Sequence, residues 1–188
     1  MNDLKQIDIK VFAEDTSDVQ AAEFIAVFQR WIREHTIPGT LIDVADYSHI
    51  HNGAGVILVG HEYNLSVDYG DGRMGLLVHY KLPSEDSLQE RIASAMKLAF
   101  NACSILEEEG EFQARLKFSR TKFRFIASDR LHAPNSDETY AEIAATLEAA
   151  AKTLSGSDVT VSRVNDSPGE RLAIDVSMGA EADTAAFA

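Results

Sequence analysis

The segment covering residues 43–81 constrains the fold more than any other part of this chain, because it carries the clearest alternation of apolar and polar residues. It reads DVADYSHIHNGAGVILVGHEYNLSVDYGDGRMGLLVHYK. A period of two indicates β-strands with one buried face. The pattern predicts strands near residues 41–45, 56–62, 63–69 and 74–82, and the glycine-rich turn at residues 70–73 joins the last two strands as a hairpin.

Three amphipathic segments predict helices that cover such a sheet. The first begins at residues 17–20, whose Ser-Asp-Val-Gln spacing is that of a capping box, and is ended by Pro38 and Gly39. The second follows Pro83, and the third is capped by residues 135–138. Their predicted buried stripes are Phe24, Phe28, Trp31 and Ile32; Leu88, Ile92, Ala95, Met96, Ala99, Cys103 and Leu106; and Tyr140, Ile143, Ala144, Leu147, Ala151 and Leu154. We interpret the acidic residues 107–109 as a solvated helix end.

Further strands near residues 7–12, 159–164 and 171–176 complete an α+β fold, a layered mixed or antiparallel sheet with three main helices. Residues 9–15 (IKVFAED) and 123–129 (FRFIASD) share a pattern, and each is followed by helix, strand and strand. This echo predicts two pseudo-repeated βαββ halves, residues 1–112 and 113–178 of a single domain, with a C-terminal tail at 179–188. Chance similarity of two such units is the alternative. Ligand clefts are expected where such halves meet.

The charge balance disfavours several classes of partner. Thirty acidic and seventeen basic residues give a formal charge of −13, and a field of that sign repels phosphate backbones and anionic lipids. We therefore expect neither nucleic acid nor a membrane as a partner. The first ten residues lack the basic and apolar blocks of a signal peptide, which favours the cytoplasm. Cys103 is the only cysteine, and its place on a helical stripe predicts a buried thiol.

Against this acidic background, one segment is basic. Residues 115–130 hold six of the seventeen cations, namely Arg115, Lys117, Arg120, Lys122, Arg124 and Arg130. In a strand, Arg120, Lys122 and Arg124 would share one face. One interpretation is a solvent-facing strand that offsets acidic neighbours; the other is a platform for an anionic ligand or for an acidic surface of another subunit.

The histidines give two candidate sites. His49 and His51 lie two residues apart and could share a metal ion with His61 or Glu62, although no third ligand follows at a fixed spacing. Gly60 precedes His61 and Glu62 in a predicted strand, where glycine often marks a close approach of backbone. One of these two side chains would then point inward and need a partner, either as a structural pair or as a ligand contact or general base. Motifs of serine hydrolases, P-loop enzymes and dinucleotide-binding enzymes are missing from the sequence.

Three segments, GVILVGHE, DYGDGRMGLLVHYK and SDRLHAPN, resemble parts of an uncharacterised bacterial protein family, and the resemblance spans residues 43–176. The resemblance brings no activity with it. It implies that eight residues belong to recurring segments and are candidates for ligand binding: His61, Glu62, Asp68, Arg73, Lys81, Asp129, Arg130 and Asn135. The chain departs from the family at Ser128, where asparagine is expected, and at His132, where an aliphatic residue is expected.

Three hypotheses about function follow. The preferred one is a non-catalytic cytoplasmic binding or assembly protein, a homo-oligomer that holds an anionic small molecule or a partner segment in a cleft between the halves. The first alternative is a small enzyme, with or without a metal ion, that uses His61 or Glu62 as base and Arg73 or Arg130 to steady an anion. The second is structural self-assembly, in which the basic strand meets acidic helices of the next subunit. The sequence identifies no cofactor.

Overall fold

The computed structural model describes residues 4–14, 17–82 and 85–181, so Asp15 of the echo and residues 182–188 of the predicted tail lie outside the described residues. In chain order the elements are β1 (Ile7–Ala13), α1 (Glu23–Glu34), β2 (Leu41–Tyr47), β3 (Gly55–Gly60), β4 (Tyr63–Asp68), β5 (Gly75–Tyr80), α2 (Leu88–Glu108), β6 (Phe118–Ala127), α3 (Asp137–Ser155), β7 (Val159–Arg163) and β8 (Ala173–Met178). The predicted α+β class is confirmed.

All eight strands form one antiparallel sheet in the order β2-β3-β4-β5-β1-β6-β8-β7. Helix α1 packs on β2 and β3, α2 on β1, β5 and β6, and α3 on β7 and β8. The three helices cover the same face of the sheet, because the apolar residues of every strand alternate toward that face and join one core. The residues between them form the opposite face, which we call the open face.

The core is built on the two central strands. Ile9 and Val11 of β1 lie beside Phe125 and Phe123 of β6, and all four side chains are completely buried. The ring of Phe100 from α2 meets Phe123 edge-on at 5.9 Å. Burial of each such side chain stabilises the fold by about 1.5–3 kcal/mol. Of the predicted helix stripes, only Ile32, Tyr140 and Leu154 are half-buried, and the remaining members are buried.

The start predicted for α1 is wrong. The helix begins at Glu23, and its N-cap residue Ala22 provides no side-chain cap. The Ser17 hydroxyl instead donates to the Lys117 carbonyl oxygen (3.1 Å) and accepts from the Lys117 backbone N–H (3.1 Å). A long-range contact with the segment before β6 therefore takes the hydroxyl that the local pattern assigned to the helix. The helix also ends before Pro38, since His35 adopts a left-handed conformation with φ 52°.

The predicted strand over residues 56–62 is too long. β3 ends at Gly60, and His61 and Glu62 form the turn to β4, so the expectation that one of them points into a sheet face is wrong. His61 is exposed and Glu62 is half-buried. The close approach predicted at Gly60 is confirmed, because a Cβ atom there would lie 2.5 Å from the Tyr63 carbonyl oxygen. The missing side chain is what allows this tight turn.

The end of α2 also differs from the prediction. Glu107 and Glu109 are only 8% and 16% exposed, so two of the three acidic side chains are not solvated. Glu107 accepts from the Phe118 N–H (2.7 Å), and Glu109 accepts from the Trp31 indole N–H (2.5 Å). Glu108 alone is exposed. These carboxylates attach α1 and β6 to the end of α2.

The two segments of the echo meet in the middle of the sheet. β1-α1-β2-β3 and β6-α3-β7-β8 have the same order of elements, and β1 pairs with β6 in antiparallel register. Lys10 lies opposite Arg124 in that register, and the echo aligns the same two residues. A local two-fold relation between the strands thus passes through this pair. In the first half the β4–β5 hairpin lies between β3 and β1, whereas β8 pairs directly with β6 in the second.

Candidate functional site

Charged side chains occupy the centre of the open face, at the junction of the two halves. Across the sheet, one row comprises Ser66 of β4, Leu77 of β5, Lys10 of β1, Arg124 of β6 and Asp175 of β8. Lys10 and Arg124 are 2% and 7% exposed. A buried charge needs a partner and hydrogen bonds, because leaving water costs it several kcal/mol.

Lys10 has all its hydrogen bonds satisfied by the β4–β5 hairpin. Its Nζ donates to Asp68 Oδ2 (2.5 Å), to the Gly70 carbonyl oxygen (2.9 Å) and to the Arg73 carbonyl oxygen (2.8 Å). An ammonium group has three protons, so none is left over. Burial lowers the pKa of Lys10, and the hydrogen bond and charge of Asp68 oppose that effect. The turn at residues 70–73 therefore closes over the lysine.

Arg124 connects three elements. Its Nε donates to Asp175 Oδ1 (2.6 Å) and its Nη2 to Asp175 Oδ2 (3.0 Å), a two-pronged pair with β8. Its Nη1 donates to Asp71, which projects from the turn of the hairpin. The hydrogen bond to Asp175 raises the pKa of Arg124. Arg124 thus joins the second half to the hairpin that is inserted in the first.

The ring of Phe12 lies beneath these cations. The guanidinium carbon of Arg73 is 4.0 Å from the ring centroid, that of Arg124 is 5.4 Å away, and Lys10 Nζ is 5.6 Å away. We call the group of Lys10, Phe12, Asp68, Asp71, Arg73, Arg124 and Asp175 the Phe12 cluster. Its three cations and three carboxylates balance. Arg73 is exposed and makes no ion pair with any described residue, whereas Lys10 and Arg124 do.

A second group, the Asp8 cluster, lies at the opposite end of β1. Asp8 Oδ1 is 2.5 Å from His79 Nδ1, and Asp8 Oδ2 accepts from the Ser128 hydroxyl (2.7 Å) and from Arg171 Nη1 (3.4 Å). The sequence did not indicate this cluster. The alternation in β1 placed Asp8 on the same face as Lys10, and only the pairing of β1 with β5 brings His79 next to it.

In the structure the eight predicted residues lie in three separate places. Two of the eight residues, Asp68 and Arg73, belong to the Phe12 cluster. Asp68 and Arg73 lie at the turn of the β4–β5 hairpin, as described above. His61, Glu62 and Lys81 lie at its other end, about 20 Å away for a six-residue strand. There Lys81 Nζ donates to the Gly60 carbonyl oxygen, and Glu62 Oε2 accepts from the Thr40 N–H at 3.1 Å, which lowers the pKa of Glu62.

The remaining predicted residues lie in the loop after β6. Asp129 Oδ2 is 2.7 Å from Nδ1 of His132, and Arg130 donates to the Gly169 carbonyl oxygen (2.6 Å). Asn135 is 4% exposed and donates to the Ser167 carbonyl oxygen (2.9 Å). The contacts of Arg130 and Asn135 fasten the loop to the turn between β7 and β8, whereas the pair of Asp129 and His132 lies within the loop. Within the described part of the chain no hydrogen bond or ion pair joins the three places, so the eight residues do not form one site.

The predicted common face of Arg120, Lys122 and Arg124 is wrong for Arg120. The pairing of β1 with β6 shifts between Val11 and Ala13, and this irregularity turns Arg120 toward α2. Its guanidinium donates to the Ser104 hydroxyl (2.6 Å) and to Glu107 (2.6 Å). Lys122 remains exposed. The basic strand is therefore not a continuous platform, because two of its three cations are paired within the chain.

The metal hypothesis gains no support from the described residues. His49 and His51 are exposed in the loop between β2 and β3, and His61 lies on the next turn. Among residues 4–14, 17–82 and 85–181, no group of three or more His, Cys, Asp or Glu side chains is placed to hold a metal ion.

Comparisons with known proteins add no identity. The chain matches no protein-family model, no curated protein and no solved structure. The resemblance of its segments to a bacterial family therefore stays a prediction. In the described ranges, none of the helices has the length and apolar character needed to cross a bilayer.

Proposed function

We propose that this protein is a binding protein that recognises an anionic group, the carboxylate or phosphate of a small molecule or of a partner segment, at Arg73. One observation carries this proposal. The guanidinium of Arg73 lies on the ring of Phe12 at 4.0 Å and is exposed without an ion pair to a described residue, while its neighbours Lys10 and Arg124 are both neutralised.

The stacking on Phe12 prepares Arg73 for binding. A guanidinium on an aromatic face gains roughly 0.5–1 kcal/mol and keeps its N–H edges free for a planar, two-pronged contact with a carboxylate or phosphate. Phe12 is itself fixed, since it is only 4% exposed. The arginine therefore loses less rotational freedom on binding than an unsupported surface arginine would.

Local charge and space also support Arg73. The protein carries a formal charge of −13, but the Phe12 cluster balances three cations against three carboxylates, so the repulsion that an anion meets near Arg73 comes from Glu14 of the adjoining pocket rather than from the cluster itself. A pocket of about 190 Å³ beside Arg73 is lined by Ala13, Glu14, Ser17, Gly72, Arg73 and Met74. This volume fits an anionic group with a short attachment rather than a large molecule.

The test is a binding panel with a matched control. The purified protein is titrated with inorganic phosphate, succinate, citrate and a phosphoserine peptide, followed by thermal shift and by NMR of the arginine side chains. Arg73→Gln should weaken the binding at least about tenfold, the loss of one charge-assisted contact. Arg33→Gln removes an exposed arginine from α1 and should leave binding unchanged. Equal affinity of the two variants, or no response of the unaltered protein, would contradict the proposal.

The two alternative functions receive less support. Self-assembly through the basic strand would use cations that are already paired within the chain, Arg120 with Glu107 and Arg124 with Asp175. A general base at Glu62 would use a carboxylate that holds the Thr40 N–H. Homo-oligomer formation stays a prediction, and sedimentation of the purified protein over a range of concentrations measures it directly.

A further inference from the structure

The Asp8 cluster has the geometry of a proton-transfer site. We propose that His79, positioned by Asp8, is a general acid–base residue acting on an ester substrate whose negatively charged group is held by Arg171. This proposal does not depend on Arg73, which lies at the other end of β5. It also differs from the sequence-based hypothesis of a base at His61 or Glu62.

The orientation of His79 is the first observation. Its Nδ1 lies 2.5 Å from Asp8 Oδ1, and the carboxylate is 3% exposed, while the imidazole is 27% exposed. A buried carboxylate on one ring nitrogen fixes the tautomer with the proton on that nitrogen and leaves the other nitrogen basic. His79 Nε2 makes no hydrogen bond within the described part of the chain. The free nitrogen therefore belongs to the exposed side of the ring.

The support of Asp8 is the second observation. Its other oxygen accepts from the Ser128 hydroxyl (2.7 Å) and from Arg171 Nη1 (3.4 Å). The carboxylate is thus held by the residue that follows β6 and by the segment before β8, and these contacts do not depend on His79. Such fixation is what a positioning carboxylate requires, because small displacements of the base reduce proton-transfer rates strongly.

The position of Ser128 decides which nucleophile is used. Its hydroxyl donates to Asp8, on the far side from His79 Nε2, so the three residues are not a serine-histidine-aspartate triad. In the proposed reaction the nucleophile is a water molecule. Its oxygen attacks the ester carbonyl carbon while Nε2 takes a proton from the water. The tetrahedral adduct then breaks its bond to the leaving oxygen, which receives the proton from Nε2–H. The products are a carboxylic acid and an alcohol, and His79 is neutral again.

Arg171 indicates the class of substrate. Its side chain is 53% exposed, and in the described ranges only Nη1 is engaged, with Asp8 and Ser128. The remaining N–H groups are available to a carboxylate or phosphate of the substrate. Beside His79 the open face carries Asn64 of β4 and the half-buried apolar side chain of Leu77 of β5. These neighbours suit an ester with an apolar portion next to its charged group.

The experiment compares two activated esters, para-nitrophenyl acetate and its hemisuccinate analogue, which carries a carboxylate. His79→Gln should lower the rate with both esters at least about a hundredfold, the low end of the usual contribution of a general base. Arg171→Gln should lower the rate with the hemisuccinate by a larger factor than the rate with the acetate, because Arg171 contacts Asp8 in both reactions but meets a carboxylate only in the hemisuccinate. His132→Gln is the matched control, because His132 is 31% exposed and lies 2.7 Å from Asp129 in the same type of pair. It should retain the full rate.

Several results would overturn the proposal. If the hydrolysis rate of His79→Gln equals that of the unaltered protein, His79 is not the general base. If His132→Gln loses as much rate as His79→Gln, the activity is non-specific reactivity of histidines. An equal effect of Arg171→Gln on both esters excludes anion recognition by Arg171. If His79→Gln does not fold, the role of His79 is tested on the unaltered protein by the dependence of its hydrolysis rate on pH. The rate against pH should follow the NMR titration of the His79 ring, and a rate that titrates elsewhere overturns the assignment.

Discussion

Lys10 is the residue on which the centre of the open face depends. Three acceptors converge on its Nζ, and the most important is Asp68 at 2.5 Å. Lys10→Met keeps the unbranched apolar stem of the side chain without its ammonium group, and it leaves Asp68 and two carbonyl oxygens without their donor. We expect the free energy of unfolding to fall by about 3–5 kcal/mol, as for a broken buried ion pair.

Urea denaturation measures this loss, with a second substitution as an internal check. Adding Asp68→Asn to Lys10→Met removes the uncompensated carboxylate, so the double variant should be more stable than the single variant. Arg33→Met, on the exposed side of α1, should change stability by less than about 0.5 kcal/mol. A Lys10→Met protein as stable as the Arg33→Met protein would show that the ion pair contributes nothing.

Cys103 makes stability depend on pH above neutrality. Burial raises the pKa of its thiol well above the usual value, because the thiolate cannot be solvated in the core. In the unfolded chain a cysteine thiol has a pKa of about 8.5. Above that pH the unfolded state releases a proton that the folded state keeps, so the stabilisation present at neutral pH is lost as pH rises, by about 1.4 kcal/mol per pH unit.

The variant Cys103→Ala isolates this effect. It loses packing at every pH but has no thiol to titrate, so its stability deficit relative to the unaltered protein should shrink by about 1.4 kcal/mol between pH 9 and 10. Guanidinium denaturation at several pH values measures the deficit. A constant deficit would mean that the thiol ionises as easily in the folded protein as in the unfolded chain.

At the residue scale, the sequence predicted burial better than partners. The helical period placed Cys103 in the core, and the structure confirms it. The pairing of Lys10 with Asp68 could not be read from the sequence, since the two residues lie 58 positions apart and meet only through the pairing of β1 with β5. Periodicity gives the direction of a side chain, whereas its partner depends on strand order.

Among the elements, the end of α2 shows how an acidic run can differ from residue to residue. Glu107 accepts from the Phe118 N–H and from Arg120, and it is 8% exposed, while Glu108 is exposed. Glu107→Ala should lower the free energy of unfolding by about 2–3 kcal/mol, because it leaves a backbone donor and a guanidinium without their acceptor. Glu108→Ala should change it by less than about 0.5 kcal/mol.

Thermal unfolding of the two variants side by side tests this difference. Both substitutions remove one negative charge from the same turn of the same helix, so general charge effects cancel between them. Equal midpoints would show that the contacts of Glu107 are not stabilising. The sequence could not separate these two glutamates, because a helical period of 3.6 residues places them on adjacent flanks and says nothing about Arg120 reaching back from β6.

Element boundaries were predicted least well where tertiary contacts act. The hairpin of β4 and β5 formed where its glycine-rich turn indicated, because the required positive φ angles occur at Asp71 and Gly72. The predicted cap of α1 failed, because the hydroxyl of Ser17 is used by Lys117 across a separation of 100 residues. The residues of a turn determine its conformation locally, so the turn can be predicted from the sequence. Whether a side chain caps a helix also depends on the groups that lie near it in the folded protein.

For the whole molecule, the echo explains why the two halves meet at charged residues. Lys10 and Arg124 are aligned by the echo and are also register partners in the central strand pair. The sequence thus indicated the pair at the junction, but not the carboxylates that neutralise it. Asp68 and Asp71 come from the hairpin inserted in the first half, and Asp175 comes from the second half. Lys10 and Arg124 are thus both paired within the chain, whereas Arg73 makes no ion pair with a described residue.

This arrangement predicts that the halves depend on each other for folding. β1 pairs with β6 along its length, and α2 packs against α3 and β6, so residues 1–112 alone would expose one side of β1 and much of α2. Of the described elements, residues 113–188 alone would keep α3 and three strands, and β6 would lack its partner β1. Neither fragment buries enough apolar surface to offset its conformational entropy.

Circular dichroism should show no cooperative unfolding for either fragment and a cooperative transition after mixing. A sharp transition in one isolated fragment would instead identify an independent domain.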